Sequence, residues 1–495
     1  MTQETSITFS RTVGRGNGQP DDSLQPELAD VLRLGRRLLR RTVSAARAED
    51  QPVRRVLHGH LGPGAASIPI VSGSWLQYDH VNVQAGLDAW LDRPGRRHEL
   101  VGLTGFRHQQ FGLADLMEPS RLGPGLGIGN VATLSLPAGP RDITRSCVRC
   151  GLYLVSEGAD RFALLLYASD NHGPMEEVML DAAAGSAERA ERIIGEIRQL
   201  AVEHNVYRHQ VISFGGQMFG HGRGAPLSFL PRPRLARDDV VLPAELLDGV
   251  ERQVLTVQQH AGRLLASGQH LKRGVLLYGP PGTGKTHTIS YLIGQMPQAT
   301  VVVLTGGALQ YIGEACSVAR LLQPSVIVVE DVDLIAEQRG LGMGQHPLLF
   351  QLLNEMDGLG EDIDVTFLLT TNRADMLEEA LAARPGRVDH AAELPLPDAD
   401  ARRKLIRLYR GALVLDLADD SAVIERTAGV TASFLKELLR KAALFAAENQ
   451  ADDQQEQTGP LRVTGAHLNA ALDQLLDTRN QLTRVLLGGQ PGEPG

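Results

Sequence analysis

The sequence predicts an α/β protein, in which an αβα parallel-sheet core is followed by a helical region and preceded by a separate α+β domain. Three observations carry this. Short apolar runs at Val275–Tyr278, Thr300–Leu304, Val326–Val329 and Val365–Leu369 alternate with helical segments, as parallel strands covered on both faces do. From about Asp398 the chain reads as helix alone. Upstream, Gly151–Val155, Phe162–Ala168 and Glu176–Leu180 read as a meander whose first turn is Glu157-Gly158-Ala159-Asp160.

Each part can be placed along the chain. Residues 1–25 are polar and glycine-rich, which predicts disorder, and Pro26 to Asp50 reads as a helix. Residues 51–140 are ambiguous, and Gly123-Pro-Gly-Leu-Gly-Ile-Gly129 is read as a loop, since no lysine accompanies its glycines. Ser186 can cap a helix carrying Ile193, Ile194, Ile197, Leu200 and Ala201 on one face. A strand at Val206–Phe214 completes an N-terminal α+β domain spanning 26–219. Gly, Pro and Arg fill 220–241, predicted to be a linker, and the parallel-sheet core is expected over 242–397. The helical region covers 398–487, and 488–495 reads as a flexible tail.

Composition narrows the function. A chain of 495 residues is long enough for two or three domains, and 43% hydrophobic with 22% charged residues is a globular balance. A net charge of −9 argues against a nucleic-acid partner, which needs a basic face. Arg36, Arg37, Arg40 and Arg41 are read as the solvated face of an amphipathic helix. The N-terminus has no signal pattern, and no run of eighteen apolar residues predicts a membrane span. Three cysteines point to a reducing, cytoplasmic setting. Cys147 and Cys150 form one CxxC, but a structural zinc takes four ligands and no second pair follows. His204 and His209 flank a strand without ligand spacing.

The chemistry lies downstream. Gly279-Pro280-Pro281-Gly282-Thr283-Gly284-Lys285-Thr286 follows a strand and precedes a helix. That spacing turns backbone N–H groups around phosphates at a helix N-terminus. Lys285 can reach the β- and γ-phosphates, and the Thr286 hydroxyl can ligate Mg²⁺, so ATP and Mg²⁺ are the expected ligands. Some forty residues on, Val326–Val329 runs into Glu330-Asp331-Val332-Asp333. Position along the strand assigns Glu330 to the metal shell and Asp331 to the attacking water, with the exchanged roles as the alternative.

Together with Gly274–Thr286, the segments Glu330–Asp333, Asn354–Gly358, Thr371-Asn372-Arg373 and Arg384–Asp389 resemble the AAA ATPases in order and spacing. The resemblance runs from about Leu242 to Leu487. It implies a five-stranded αβα core, a helical lid, ATP hydrolysis and a homo-oligomeric ring, usually a hexamer. It puts Asn372 at the family's water-positioning sensor, and Arg384 and Arg387 at its arginine fingers. Arg93-Pro-Gly-Arg96 repeats the last motif without the preceding Thr-Asn and is read as a turn. Tyr311-Ile312-Gly313 resembles the loop lining the pore of threading AAA rings, against the alternative of a core tyrosine.

Three departures stand out. Glu330-Asp331 inverts the commoner Asp-Glu, an order shared with the mitochondrial inner-membrane translocase branch. Thr427–Leu435 replaces the usual Ser-Gly-Ala-Asp-Leu of the lid, so no lid contact is carried over. Leu242–Val250 matches the adenine-cradling segment only loosely, so no adenine residues are assigned. The expected function is an ATP-driven motor that unfolds or remodels a protein client chosen by the N-terminal domain. The alternative is a nucleotide-dependent switch or scaffold. Protease activity like that of the AAA metalloproteases is not expected, since His98-Glu99 is the nearest approach to HExxH and lacks the second histidine.

Overall fold

The computed structural model describes residues 52–106, 112–117, 126–168, 177–215, 227–333, 347–358, 360, 362–373, 388–417, 419–451 and 460–476. The predicted disorder at 1–25, the helix from Pro26 to Asp50 and the tail at 488–495 lie outside them.

The first half is built on an antiparallel sheet of seven strands: β1 Ile70–Leu76, β2 Arg96–Thr104, β3 Gly127–Gly129, β4 Ala132–Pro137, β5 Thr144–Glu157, β6 Asp160–Ala168 and β7 Glu177–Ala183. Their order is β1-β7-β6-β5-β2-β3, with β4 on β5. Alternation along β6 serves two cores. Phe162, Leu164 and Leu166 pack with helices α2 (His80–Leu91) and α3 (Ala187–Glu203), whereas Ala163 and Leu165 face α1 (Pro52–Leu61) and Leu113–Met117. Ser186 caps α3, its hydroxyl accepting the Arg189 N–H at 3.2 Å. Gly158, in the left-handed region at φ 59°, turns β5 into β6.

Part of the expected loop Gly123–Gly129 is strand, since β3 pairs with Gly102–Thr104. Glycine is needed there for close approach: a Cβ on Gly102 would lie 2.3 Å from the Asn130 carbonyl carbon. A periodicity argument does not see this, because glycine carries no hydrophobic signal.

The second sheet also has seven strands: β8 Val211–Phe214, β9 Leu227–Leu230, β10 Arg273–Tyr278, β11 Thr300–Leu304, β12 Ser325–Val329, β13 Val365–Thr371 and β14 His390–Glu393. The order is β14-β10-β13-β12-β11-β8-β9, parallel except for the last pair. Three expectations are corrected here. The strand grouped with the N-terminal domain, β8, pairs with β11 at Val211↔Val301. The segment read as linker contributes β9, and the five strands implied by the resemblance become seven. A four-residue run such as Val-Ile-Ser-Phe fits either sheet. Its faces settle the matter, with Val211 in one core of the second sheet and Ile212 and Phe214 in the other.

Helices α4 (Ala244–Glu251), α5 (Lys285–Gln295), α6 (Ile312–Leu321) and α7 (Pro347–Asp357) flank this sheet. After it in the chain, α8 (Ala399–Tyr409), α9 (Ser421–Arg426), α10 (Ala432–Ala451) and α11 (Gly465–Leu476) enclose a core of their own, with a two-stranded parallel ribbon, Val414–Asp416 on Arg462–Thr464. The two halves share apolar interior: Tyr78, Val81 and Cys147 belong to the same buried cluster as Phe214, Ile312, Val329 and Phe367.

Candidate active site

The phosphate loop leaves the end of β10, which is hydrogen-bonded on both sides, to β13 and β14. Gly279, Gly282 and Gly284 have φ of 137°, 80° and 103°, conformations that L side chains rarely adopt. At Gly279 space is also short, since a Cβ would stand 2.5 Å from the Leu394 carbonyl oxygen. Gly284 N-caps α5, placing that helix's N-terminal N–H groups at the loop. Thr283 braces the loop, its hydroxyl donating to the Pro280 carbonyl at 2.9 Å, while Pro281 and Thr286 are exposed.

Lys285 is 7% exposed, and its ammonium donates to the carbonyls of Gly279 (2.8 Å) and Pro280 (3.0 Å). Burial lowers its pKa, and the nearby Asp331 and then Asp333 oppose that shift. A desolvated cation at the mouth of a glycine cradle fits a polyphosphate.

The acids arrive on β12. After Val329, the Glu330 N–H still donates to the Leu304 carbonyl at 3.1 Å, and then the backbone turns into the left-handed region at Asp331, φ 52°. Asn372, just past β13, donates from Nδ2 to Asp331 Oδ1 at 3.2 Å. Asp333 is buried, its Oδ1 accepting the Thr371 hydroxyl (2.9 Å) and the Asn372 N–H (3.3 Å). Lys285, Asp331 and Asn372 therefore converge at one sheet edge, where open α/β sheets bind ligands. Exposed Thr286 and half-buried Glu330 supply oxygens suited to Mg²⁺, which takes one or two protein ligands beside phosphates and water.

Some expected site residues fall elsewhere. Tyr311 ends a short 3-10 turn, half-buried, its ring stacked on Phe214 with centroids 5.7 Å apart. Ile312 is fully buried at the start of α6, and Gly313 lies within that helix, so the three residues belong to a packed turn in this chain. Arg384 and Arg387 lie outside the described residues. The look-alike Arg93–Arg96 is a turn, with Gly95 at φ 89° and the Arg96 N–H on the Arg93 carbonyl at 3.2 Å. Burial pushes the Cys147 and Cys150 thiols up to about 12, and among the described residues no three His, Cys, Asp or Glu side chains are grouped to hold a metal.

The segment Thr427–Leu435, to which no lid contact was carried over, does join the helical region to the loop. The Ser433 N–H donates to the Gly282 carbonyl at 3.2 Å, and the Thr431 and Ser433 hydroxyls stand 3.0 Å from where a Gly282 Cβ would be. Thr431 caps α10, accepting the Phe434 N–H. A threonine ahead of an apolar helix was the available signal. A cavity of about 480 Å³ opens between the segment around Val240–Leu247 and α8, where Lys404, Arg407 and Leu408 line it.

A parallel sheet carrying a glycine cradle, a buried lysine and acids at one edge defines a P-loop nucleotide-binding protein. Residues 275–396 match the model of the "ATPase family associated with various cellular activities (AAA)". The chain thus carries an AAA ATPase domain, and its likeness to that family is confined to part of its length. Similar proteins include the ATP-dependent zinc metalloprotease FtsH of Mycobacterium leprae, 31% identical over 282 residues, covering 54% of this chain and 34% of the relative. FtsH 3 of Sphaerobacter thermophilus is 30% identical over 283 residues, 54% of this chain and 55% of that one. FtsH of Thermus thermophilus is 29% identical over 258 residues, covering 49% and 40%.

These relatives correct one expectation. The chain was set apart from the AAA metalloproteases for want of HExxH, yet the relatives it matches are named ATP-dependent zinc metalloproteases, which points to a protease family. The motif argument failed because it tested a proteolytic site, whereas the kinship resides in the ATPase half. The chain spans about a third of the length of the first of these relatives. Among the described residues, no helix is long and apolar enough to cross a membrane.

Proposed function

We propose that this chain hydrolyses ATP to drive work on a protein client, assembling as a homo-oligomeric ring, in the manner of a hexamer. The observation that carries the reading is the Asn372–Asp331 contact beside the buried Lys285. In this reading the loop amides and Lys285 bind the phosphates, and Asp331 with Asn372 orients the attacking water. Thr286 and Glu330 would hold Mg²⁺, whose chemistry there would be charge neutralisation beside the phosphates. The helices after the core act as a lid on the phosphate loop, a role supported by the Ser433–Gly282 bond. The relatives' printed name couples ATP to action on proteins, and that coupling is extended here to a client bound through the N-terminal half.

Lys285→Ala removes the cradle's cation, and calorimetric titration with ATP and Mg²⁺ should register the loss of most affinity. Undiminished affinity would falsify the phosphate-loop assignment. If Arg384 and Arg387 act on a neighbouring subunit's site, Arg384→Ala mixed with Lys285→Ala should recover part of the turnover that each lacks alone. No recovery at any mixing ratio counts against the ring. A second reading, a nucleotide-dependent switch, draws support from Tyr311, which is packed against Phe214 and not free to grip a chain in this conformation.

A further inference from the structure

We propose that Thr370, Thr371 and Asp333 are positioning residues for the hydrolytic step, locking Asp331 and Asn372 into a single geometry. The inference rests on the ATPase reading above and concerns three side chains that the motifs leave without a role.

An aspartate has only two side-chain torsions, so the direction of its carboxylate is set largely by its backbone. At Asp331 that backbone is left-handed, φ 52°, a region non-glycine residues seldom occupy. The β12–β13 ladder pairs Val329 with Leu369, and Thr370 then takes over from it. Its hydroxyl accepts the Asp331 N–H at 3.0 Å, and its carbonyl accepts the Val332 N–H at 2.9 Å. Both N–H groups around the turn are thus held by one threonine that is itself 1% exposed.

Asn372 is fixed from the other side. The Thr371 hydroxyl donates to Asp333 Oδ1 at 2.9 Å and accepts the Arg373 N–H at 2.9 Å, so Thr371 is anchored at both ends. The same carboxylate oxygen accepts the Asn372 N–H at 3.3 Å. The Asn372 amide is left to reach Asp331 at 3.2 Å. Valine would fill the same buried space on a β-strand, at the cost of the hydrogen bonds to the Asp331 N–H and the Asp333 carboxylate. What valine lacks is the acceptor that holds Asp331 in its unusual backbone and the donor that seats Asp333.

The discriminating variants are Thr370→Val and Thr370→Ser in the full chain. With Thr370→Val, ATP affinity by calorimetry should stay within about twofold. The kcat should fall about 10²-fold, the scale on which small misplacements of reacting groups act. Thr370→Ser should restore most of it. Thr371→Val should reproduce the same split between kcat and affinity, which provides a second reading if Thr370→Val folds poorly. A crystal structure of nucleotide-free Thr370→Val should have Asp331 out of the left-handed region and its bond to Asn372 broken.

Unchanged kcat in both valine variants overturns the proposal, as does an Asp331 that keeps its conformation in the variant crystal. A joint fall of affinity, melting temperature and kcat that serine does not rescue also overturns it, since that is plain destabilisation. Asp331→Asn keeps the two levels apart. If the wild type hydrolyses no faster than Asp331→Asn, the ATPase reading fails, and the crystal structure still decides the positioning claim.

Discussion

Glu330 and Asp331 are neighbours in the chain but meet different surroundings. Asp331 touches Asn372 and is the acid that Lys285 senses most strongly, while Glu330 continues the strand with its N–H on Leu304. Strand position alone had divided their roles in the same way, but with the exchange left open. Asp331→Asn should bind ATP with unchanged affinity and stop hydrolysing it, whereas Glu330→Gln should raise the Mg²⁺ concentration needed for turnover. Titrating ATPase activity against Mg²⁺ in both variants checks this, and the reverse pattern means that the acids have exchanged work along with their order.

Between elements, the least expected fixture is the strap after β9. Arg232 donates to the carbonyls of Ile293 (3.0 Å), Met296 (3.0 Å), Ala299 (2.7 Å) and His209 (3.0 Å), tying the C-terminal end of α5 to the β8 side of the sheet. Burial lowers the pKa of this guanidinium. Because α5 begins at the phosphate loop, the strap steadies the helix from its far end. Arg232→Ala removes all four bonds, although the Ile293 and Met296 carbonyls keep backbone N–H donors, and should cost about 1–3 kcal/mol. Chemical denaturation measures it. Arg232→Lys should recover little, since one ammonium cannot reproduce a planar fork.

At the scale of the molecule, the halves meet through aromatic rings. Tyr78 lies edge-on to Phe214 at 5.6 Å, and Phe214 stacks on Tyr311. Tyr311→Ala removes this stacking and should cost less than the about 3–5 kcal/mol of a fully buried aromatic, with ATP turnover near wild type. Melting and ATPase assays on this variant test it together, and client processing lost from a stable, active variant would return Tyr311 to the pore-loop role. The same junction should respond to pH. Burial raises the Asp79 pKa from 3.8 to about 6, against the Asn82 hydrogen bond and the Arg198 charge, with Tyr78 and Tyr207 beside it. The unfolded chain then ionises first, so this group's contribution to stability declines as pH rises from about 4 to about 6. Asp79→Asn should flatten that slope in melting curves taken across the interval.

The sequence by itself determined the phosphate loop, the acids on β12, Asn372 and the strands that carry them. Each is written in contiguous residues whose spacing is the chemistry: a glycine cradle needs its glycines in a row, and a buried strand needs its apolar run. The Ser186 cap and the face of α3 were legible for the same local reason. Only the tertiary structure decided that β8 and β9 extend the second sheet, since either sheet could use a short apolar strand and the choice rests on a partner some ninety residues away at Val301. It also decided the backbone of Asp331, held by a threonine 39 residues further on, and the seat of Tyr311 against Phe214. Local pattern encodes what a segment can become. Which hydrogen bonds and ring faces it finally meets depends on long-range packing, and that is where the geometry around Asp331 and Asn372 is set.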